Sequence, residues 1–200
     1  MPQLYIVPAR LGRWTDNFVT RHGATATNVV DGRLVGFAQD GSYFEASLPF
    51  GRPYDGPART EDFAAAATAP EDWGLLLVRK GGFAVARVAG ERIVRSKVGH
   101  RHVQGRSKAG GWSQQRFARR RANQAAQAYD AAASYASDVL DGCDLVVVGG
   151  DQFGLDHVLA ALGAADRVVD TLVNVAEPRR GVFENAVIDA RSVRMSVTNA

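Results

Sequence analysis

The 200-residue chain lacks several features that define common classes of protein. Its single cysteine, Cys143, excludes an intramolecular disulfide and a zinc site built on several cysteines. No run of about 18 apolar residues is present, so the sequence offers no transmembrane helix. The first ten residues lack a basic stretch followed by an apolar one. We therefore expect no signal peptide, no membrane partner and a cytoplasmic protein.

Acidic residues are absent from one long stretch of the chain. Residues 92–129 contain no Asp or Glu but ten Lys and Arg, and we call this stretch the basic segment. The formal charges of all other residues add up to −7. The net charge of +3 is therefore the sum of a +10 basic segment and an acidic remainder. Charge separated in this way is typical of a protein that binds a polyanion, most often nucleic acid. An ordinary solvated face is the alternative, although such faces usually interleave both signs.

The first third of the chain predicts a small α+β extension. Apolar residues at helical spacing indicate a helix over residues 8–22, and short strand-like segments follow at residues 33–38 and 43–48. Residues 51–72 are rich in Pro, Ala and acidic residues and predict a linker with a helical turn or two. We expect an N-terminal extension of residues 1–72, packed on a main domain of residues 73–200.

The main domain begins with the pattern of a β-meander. Apolar runs at residues 74–78 and 83–88 flank the turn signal Lys80-Gly81-Gly82, and a third strand follows at residues 92–98. Apolar residues three and four apart from Phe117 to Leu140 then predict one long helix, with Ser113 as its N-cap. Strands and helices alternate after it, at residues 144–148, 151–162, 168–175, 177–190 and 193–197. We expect an α/β fold with a mixed sheet.

The basic segment contains glycines followed by glutamines where the long helix begins. Residues 104–124 read QGRSKAGGWSQQRFARRRANQ. The amides of Gly110 and Gly111, next to a helix N-terminus, suit an anion or a developing oxyanion. The side-chain amides of Gln114 and Gln115 can position a water but cannot act as a base at neutral pH. The residues indicate water positioning and transition-state stabilisation rather than acid–base catalysis.

The run Gly-Gly-Trp-Ser-Gln-Gln-Arg-Phe-Ala-Arg resembles the catalytic loop of class I peptide-chain release factors of the eukaryotic and archaeal type. It is more similar to the Vms-like release factors, which are ribosome-rescue peptidyl-tRNA hydrolases with a Gly-Ser-Gln variant of the loop. The resemblance covers roughly residues 73–197 and implies a release-factor catalytic-domain-like fold.

The resemblance also implies a hydrolase that frees nascent chains from stalled ribosomes by water attack on the peptidyl-tRNA ester. Such an enzyme needs neither a metal nor an organic cofactor. Its implied partners are peptidyl-tRNA and the peptidyl transferase centre of the large ribosomal subunit, and not DNA.

The resemblance assigns roles to individual residues. The residues matched to the catalytic loop are Gly110, Gly111, Ser113 and Gln114, with Gln115 as a second glutamine. An alignment on the Arg-Phe-Ala-Arg run instead places the family glutamine on Trp112, so the identity of the working glutamine stays open. Trp112 could also stack on a base of the tRNA 3′ end, or pack at the helix entry. Phosphate contacts are expected from Arg101, Arg106, Lys108, Arg116, Arg119, Arg120 and Arg121.

Two other functions remain as alternatives. The first is a tRNA 3′-end endonuclease in ribosome rescue, which would use a ribose 2′-OH as nucleophile. The second is a non-catalytic ribosome- or RNA-binding module that shares the fold. A serine hydrolase is disfavoured, because Ser113 lacks the preceding strand and the second glycine of the G-x-S-x-G elbow.

Four further motifs have structural interpretations. His100 and His102 have no cysteine or carboxylate neighbours in sequence, so we expect no metal site. Gly149-Gly150 follows a strand without a phosphate-loop signature, which predicts a tight structural turn. We expect Asp156-His157 to be an exposed helical pair. Cys143 lies at the edge of an apolar strand and is expected to be a small buried residue.

Overall fold

The computed structural model describes residues 3–100 and 112–200. In the helix that begins at residue 112, side chains are described at residue 119 and from residue 123 onward. The chain forms two compact units. Unit 1 consists of Met1–Ala69 and Val187–Ala200, and unit 2 consists of Pro70–Ala186. Within the described ranges, no helix combines the length and the apolar character needed to cross a bilayer.

The described residues form ten strands and five α-helices. The strands are β1 (Gln3–Ile6), β2 (Thr25–Val30), β3 (Arg33–Ala38), β4 (Tyr43–Ser47), β5 (Trp73–Arg79), β6 (Gly82–Ala89), β7 (Arg92–His100), β8 (Val146–Gly150), β9 (Val168–Leu172) and β10 (Val193–Thr198). The helices are α1 (Leu11–His22), α2 (Thr60–Ala66), α3 (Trp112–Val139), α4 (Gln152–Leu162) and α5 (Arg180–Ala190).

Unit 1 is built on a five-stranded antiparallel sheet in the order β1-β10-β4-β3-β2. The β2–β3 hairpin turns at Asp31 and Gly32, whose φ angles of 48° and 73° are those of the mirror-image turn that matches strand twist. Trp14 and Phe18 of α1 lie edge-on against Phe44 of β4, with ring centroids 5.3 and 5.1 Å apart. The core of unit 1 therefore lies between one face of the sheet and the helices.

Unit 2 is built on a mixed sheet in the order β7-β6-β5-β8-β9. The meander β5-β6-β7 is antiparallel, whereas β8 pairs in parallel with both β5 and β9. Six of the seven residues of β5 are buried, as expected for a central strand. The main core packs α3 and α4 against this sheet. This architecture confirms the expected mixed-sheet α/β fold, in which a meander is followed by alternating helices and strands.

Several element boundaries differ from the sequence prediction. The last helix begins at Arg180 rather than at residue 177, because Pro178 disfavours a helical conformation in the residue before it. The long helix begins at Trp112, so Ser113 lies inside the first turn and its prediction as the N-cap is wrong. Strand β9 ends at Leu172 and bends follow it, which agrees with the strand-plus-turn form of the prediction for residues 168–175.

The C-terminal strand lies in the sheet of unit 1, between β1 and β4. There Met195 is the register partner of Leu4 and of Ala46. The sequence placed this strand in the domain of residues 73–200, because a local pattern does not reveal pairing between segments distant in the chain. Strands β1 and β2 were not expected from the sequence.

Candidate functional site

The two elements that flank the glycine-rich loop are β7 and α3. β7 ends at His100, which pairs with Gly82 of β6, and α3 begins at Trp112. Five residues of the predicted site lie outside the described residues, namely Arg101, Arg106, Lys108, Gly110 and Gly111. The remaining eight lie on the first turns of α3, namely Trp112, Ser113, Gln114, Gln115, Arg116, Arg119, Arg120 and Arg121.

Strand β7 is an edge strand that carries basic residues along the first part of the basic segment. Among the strands of the described ranges it pairs with β6 alone, and most of its residues are exposed. Arg95 bridges to α3, where it donates to the backbone oxygen of Asp138 at 2.9 Å and pairs with the carboxylate of the same residue. Lys97 lies over the ring of Tyr135, 4.7 Å from its centroid. These contacts join the edge strand to the long helix and leave a cationic surface beside it.

Helix α3 is held on the sheet by a stripe of buried residues, three of which are alanines. Ala128, Tyr129, Ala132, Ala136 and Val139 are all buried, at the three- and four-residue spacing of one helix face. Small side chains on this face let the helix approach the sheet closely. The predicted stripe is confirmed from residue 125 onward, and its members Phe117, Ala118 and Ala122 have no described side chains.

Tyr129 connects α3 to the start of α4. Its hydroxyl donates to Asp151 Oδ1 at 3.3 Å, and the same oxygen accepts the Gly154 amide at 2.9 Å as the N-cap of α4. The tyrosine is 1% exposed. Burial first, and then the nearby carboxylates of Asp151 and Glu177, raise the pKa of Tyr129 to about 12. The neutral phenol is therefore the form that fits this position.

A second link between α3 and α4 joins Asp130 to His157. The His157 Nε2 atom lies 2.8 Å from Asp130 Oδ1, and both side chains are partly exposed. Asp156 instead accepts a hydrogen bond from Gln152 at 2.7 Å, one turn earlier on α4. Asp156 and His157 therefore have separate partners, and His157 contributes to the anchoring of α3.

Helical spacing relates the positions of the two glutamines to the anchored part of α3. Five helical turns span 18 residues, so Gln114 lies on the same helix face as the buried Ala132. Gln115 is turned about 100° from Gln114 around the axis, toward the margin of the buried stripe. The exposed Arg119 lies nearly opposite the stripe. The two glutamines are therefore different positions on the helix, about 100° apart around its axis.

Two motifs outside the basic segment have structural roles. Gly150 has a φ of +130°, and an added Cβ would lie 1.9 Å from the backbone oxygen of Val78. Both glycines are the last residues of β8, where Gly149 pairs with Leu77 and Gly150 with Val78, so the tight turn expected at Gly149-Gly150 is instead the end of a strand. Cys143 is fully buried, and its thiol donates to the Leu145 oxygen at 3.4 Å. Burial raises the pKa of the Cys143 thiol, so the prediction of a small buried residue is confirmed.

Asp151 and Tyr129 form a contact that sequence reasoning did not identify. An Asp between a glycine turn and an apolar helix is a recognisable N-cap signal, but its second partner lies 22 residues earlier in the chain. Across residues 3–100 and 112–200, no group of three or more His, Cys, Asp or Glu side chains is arranged to hold a metal ion.

Comparison with known proteins places this arrangement in a family. The model of the family described as "Actinobacteria/chloroflexi VLRF1 release factor" matches residues 71–196, well over half of the chain. A search of curated proteins found no significant match. Among solved structures, the chain is similar to one titled "Vms1 mitochondrial localization core", with 11% identity, a TM-score of 0.46, and coverage of 95% of this chain and 84% of that one.

A second solved structure is Pelota from Archaeoglobus fulgidus, with 11% identity, a TM-score of 0.34, and coverage of 92% of this chain and 60% of that one. The family match includes the meander, the whole basic segment and helix α4, which anchors α3. It confirms the resemblance stated from residues 110–119. The chain belongs to the VLRF1 release-factor family, which is Vms-like.

Proposed function

We propose that the protein is a peptidyl-tRNA hydrolase that releases nascent chains from stalled ribosomes. One observation carries the proposal: the family match includes the acid-free segment that contains both the glycines and the glutamines. Membership of a release-factor family makes translation the setting and the ribosome the partner. The proposal further includes peptidyl-tRNA as the substrate, the peptidyl transferase centre as the binding site and the cytoplasm as the location of the protein.

The chemistry of the proposed reaction is ester hydrolysis by a positioned water. The water oxygen bonds to the ester carbonyl carbon, the bond to the ribose oxygen breaks, and the tRNA leaves with a free hydroxyl. A proton passes from the water to that leaving oxygen. The amide of Gln114 would orient the water, and backbone amides of Gly110 and Gly111 would stabilise the oxyanion. This scheme uses neither a metal nor an organic cofactor.

The cations of the basic segment would bind ribosomal and transfer RNA. Phosphate contacts release counterions, so association should weaken with salt, with a log–log slope of about −0.7 to −0.9 for each contact. If half of the ten cations make such contacts, the slope should be about −4. A slope near zero would contradict the proposed role of the basic segment.

The anchored helix supports Gln114 over Gln115 as the working residue. Gln114 precedes the buried Ala132 by five helical turns, and the orientation of that later part of α3 is fixed by the Tyr129–Asp151 and Asp130–His157 contacts. Gln115 lies about 100° away around the helix and would reach a different point. We assign water positioning to Gln114 and keep Gln115 as the matched control.

Paired variants test this assignment on ribosomes that hold peptidyl-tRNA. Gln114→Ala should lower the single-turnover rate of peptide release by about 100-fold or more, the loss typical of one oxyanion-stabilising or water-positioning donor. Gln115→Ala, which removes the same amide one position away, should retain most of the rate. Equal ribosome binding by both variants is the necessary control. Full activity of Gln114→Ala would refute the assignment.

A further inference from the structure

The sheet of unit 1 has one face that its helices do not use. Side chains alternate across a strand, so the residues that flank Leu34, Phe44 and Met195 point away from the core of unit 1. This second face, which we call the open face, carries Arg33 and Phe37 of β3. Its other members are Gln3, Tyr5, Ala26, Asn28, Val30, Val35, Tyr43, Glu45, Ser47, Arg194, Ser196 and Thr198.

One end of the open face presents a pair of aromatic rings. Phe37 and Tyr43 are register partners on neighbouring strands, with ring centroids 5.9 Å apart and ring planes 32° apart. Phe37 is 52% exposed, although a phenylalanine on a sheet normally gains stability by being covered. A half-exposed aromatic pair on a rigid sheet offers π faces on which nucleobases can stack.

The other end of the open face is polar and carries two arginines. A surface depression of about 520 Å³ is lined by Gln3, Arg33, Glu45, Ser47, Arg194 and Ser196. Arg33 donates to Glu45 at 3.1 Å, which holds its guanidinium over the sheet. With two arginines and one glutamate, this end of the face carries a net positive charge, and its hydroxyl and amide groups can bond to base edges and ribose hydroxyls.

We propose that the open face of unit 1 binds a short stretch of single-stranded RNA. The aromatic pair would stack bases, and the arginines would contact phosphates. Phe37 and Arg33 are four residues apart on β3, so the two ends of the surface lie about 13 Å apart along the strand. Sheet surfaces with exposed aromatics bind single-stranded RNA in this way, each ring stacking one base.

This inference is independent of peptide release, because none of its residues belongs to the basic segment. The experiment must therefore separate RNA bound on the open face from RNA bound by the cations of residues 92–121. Ultraviolet cross-linking of the full chain to a labelled single-stranded RNA of mixed sequence, followed by mass spectrometry of the peptides, makes that separation. We expect cross-links at Phe37 or Tyr43 in addition to those in the basic segment.

Two variants sharpen the test. Phe37→Leu keeps an apolar side chain but removes the ring, and should lower the cross-link yield at Tyr43 by about five-fold or more, the effect of losing one stacked base. Arg194→Gln should lower the same yield and leave the basic-segment cross-links unchanged. The matched control is Phe153→Leu, which removes a 73% exposed aromatic from unit 2 and should change neither yield.

Three outcomes would overturn the proposal. The first is an absence of cross-links on the open face of the folded wild-type chain. The second is an unchanged Tyr43 yield in Phe37→Leu, provided that its thermal midpoint equals that of wild type. The third is an equal yield with single-stranded DNA of the same sequence, since the polar groups of the depression are assigned to ribose hydroxyls. Loss of peptide release in Gln114→Ala together with intact Tyr43 cross-links would support both proposals separately.

Discussion

Replacing Tyr129 with Phe should make the stability of the protein less sensitive to high pH. At neutral pH the variant loses the hydroxyl that donates to Asp151, at a cost of about 1 kcal/mol. The Asp151 oxygen keeps its bond from the Gly154 amide, so the loss stays small. Near pH 8 the wild type should therefore be the more stable protein.

The difference in stability between wild type and Tyr129→Phe should shrink or reverse above pH 10, the ordinary pKa of a tyrosine. Burial raises the pKa of Tyr129 to about 12 in the folded protein. Between these values the unfolded chain releases the phenolic proton while the folded chain retains it, so stability falls as pH rises. A shift of this size costs wild type about 2 kcal/mol by pH 12, a loss that Tyr129→Phe does not incur.

Urea unfolding of both proteins at about pH 8 and about pH 11 measures how the difference between their unfolding free energies changes with pH. The wild-type advantage should shrink to near zero or reverse at the higher pH. Tyr135→Phe is the matched control, because Tyr135 lies on the same helix but is 42% exposed, and this variant should follow wild type at both pH values. If the difference between wild type and Tyr129→Phe is the same at both pH values, Tyr129 does not anchor α3 as a buried neutral phenol.

Three further variants or treatments test other parts of the fold. Gly150→Ala should prevent folding or lower the unfolding free energy by more than about 3 kcal/mol, because the new Cβ would overlap a backbone oxygen at a φ of +130°. A thermal melt measures the effect, and Gly12→Ala, which adds its Cβ in open space on α1, is the control. Asp151→Ala should lower the unfolding free energy by about 1–2 kcal/mol through loss of the α4 N-cap, and Asp151→Ser should recover part of it. The Cys143 thiol should react with a disulfide reagent only at the rate of unfolding, so rapid reaction of the native protein would contradict its burial.

The sequence predicted those parts of the fold that local patterns determine. The continuous apolar run of β8 reflects burial on both faces of a central strand, and the Lys80-Gly81 turn specifies the β5–β6 hairpin. Strand β2 escaped prediction because its Thr and Asn residues lie at a half-exposed sheet edge, where no apolar alternation is required. The partners of β10 are set by pairing with segments near the other end of the chain, which a local pattern does not encode.

The sequence predicts where in the chain the candidate site lies, but not how the residues around it are arranged in space. The absence of Asp and Glu from residues 92–129 marks it by composition, because a segment that binds a polyanion is typically poor in acidic side chains. The contacts that orient α3 could not be predicted from the sequence. Tyr129 and Asp151 are 22 residues apart and come into contact only because α4 begins beside α3 at the end of β8.

The state of the tRNA 3′ end after peptide release tests the central claim most directly. Purified protein is incubated with stalled ribosomal complexes whose tRNA carries a labelled nascent chain, and both the peptide and the tRNA 3′ terminus are analysed. Water attack on the ester predicts a free peptide and a full-length tRNA that can be aminoacylated again. A shortened tRNA, or a peptide that retains nucleotides, would contradict ester hydrolysis and favour the nuclease. Ribosome binding without any release would contradict catalysis and favour a binding module.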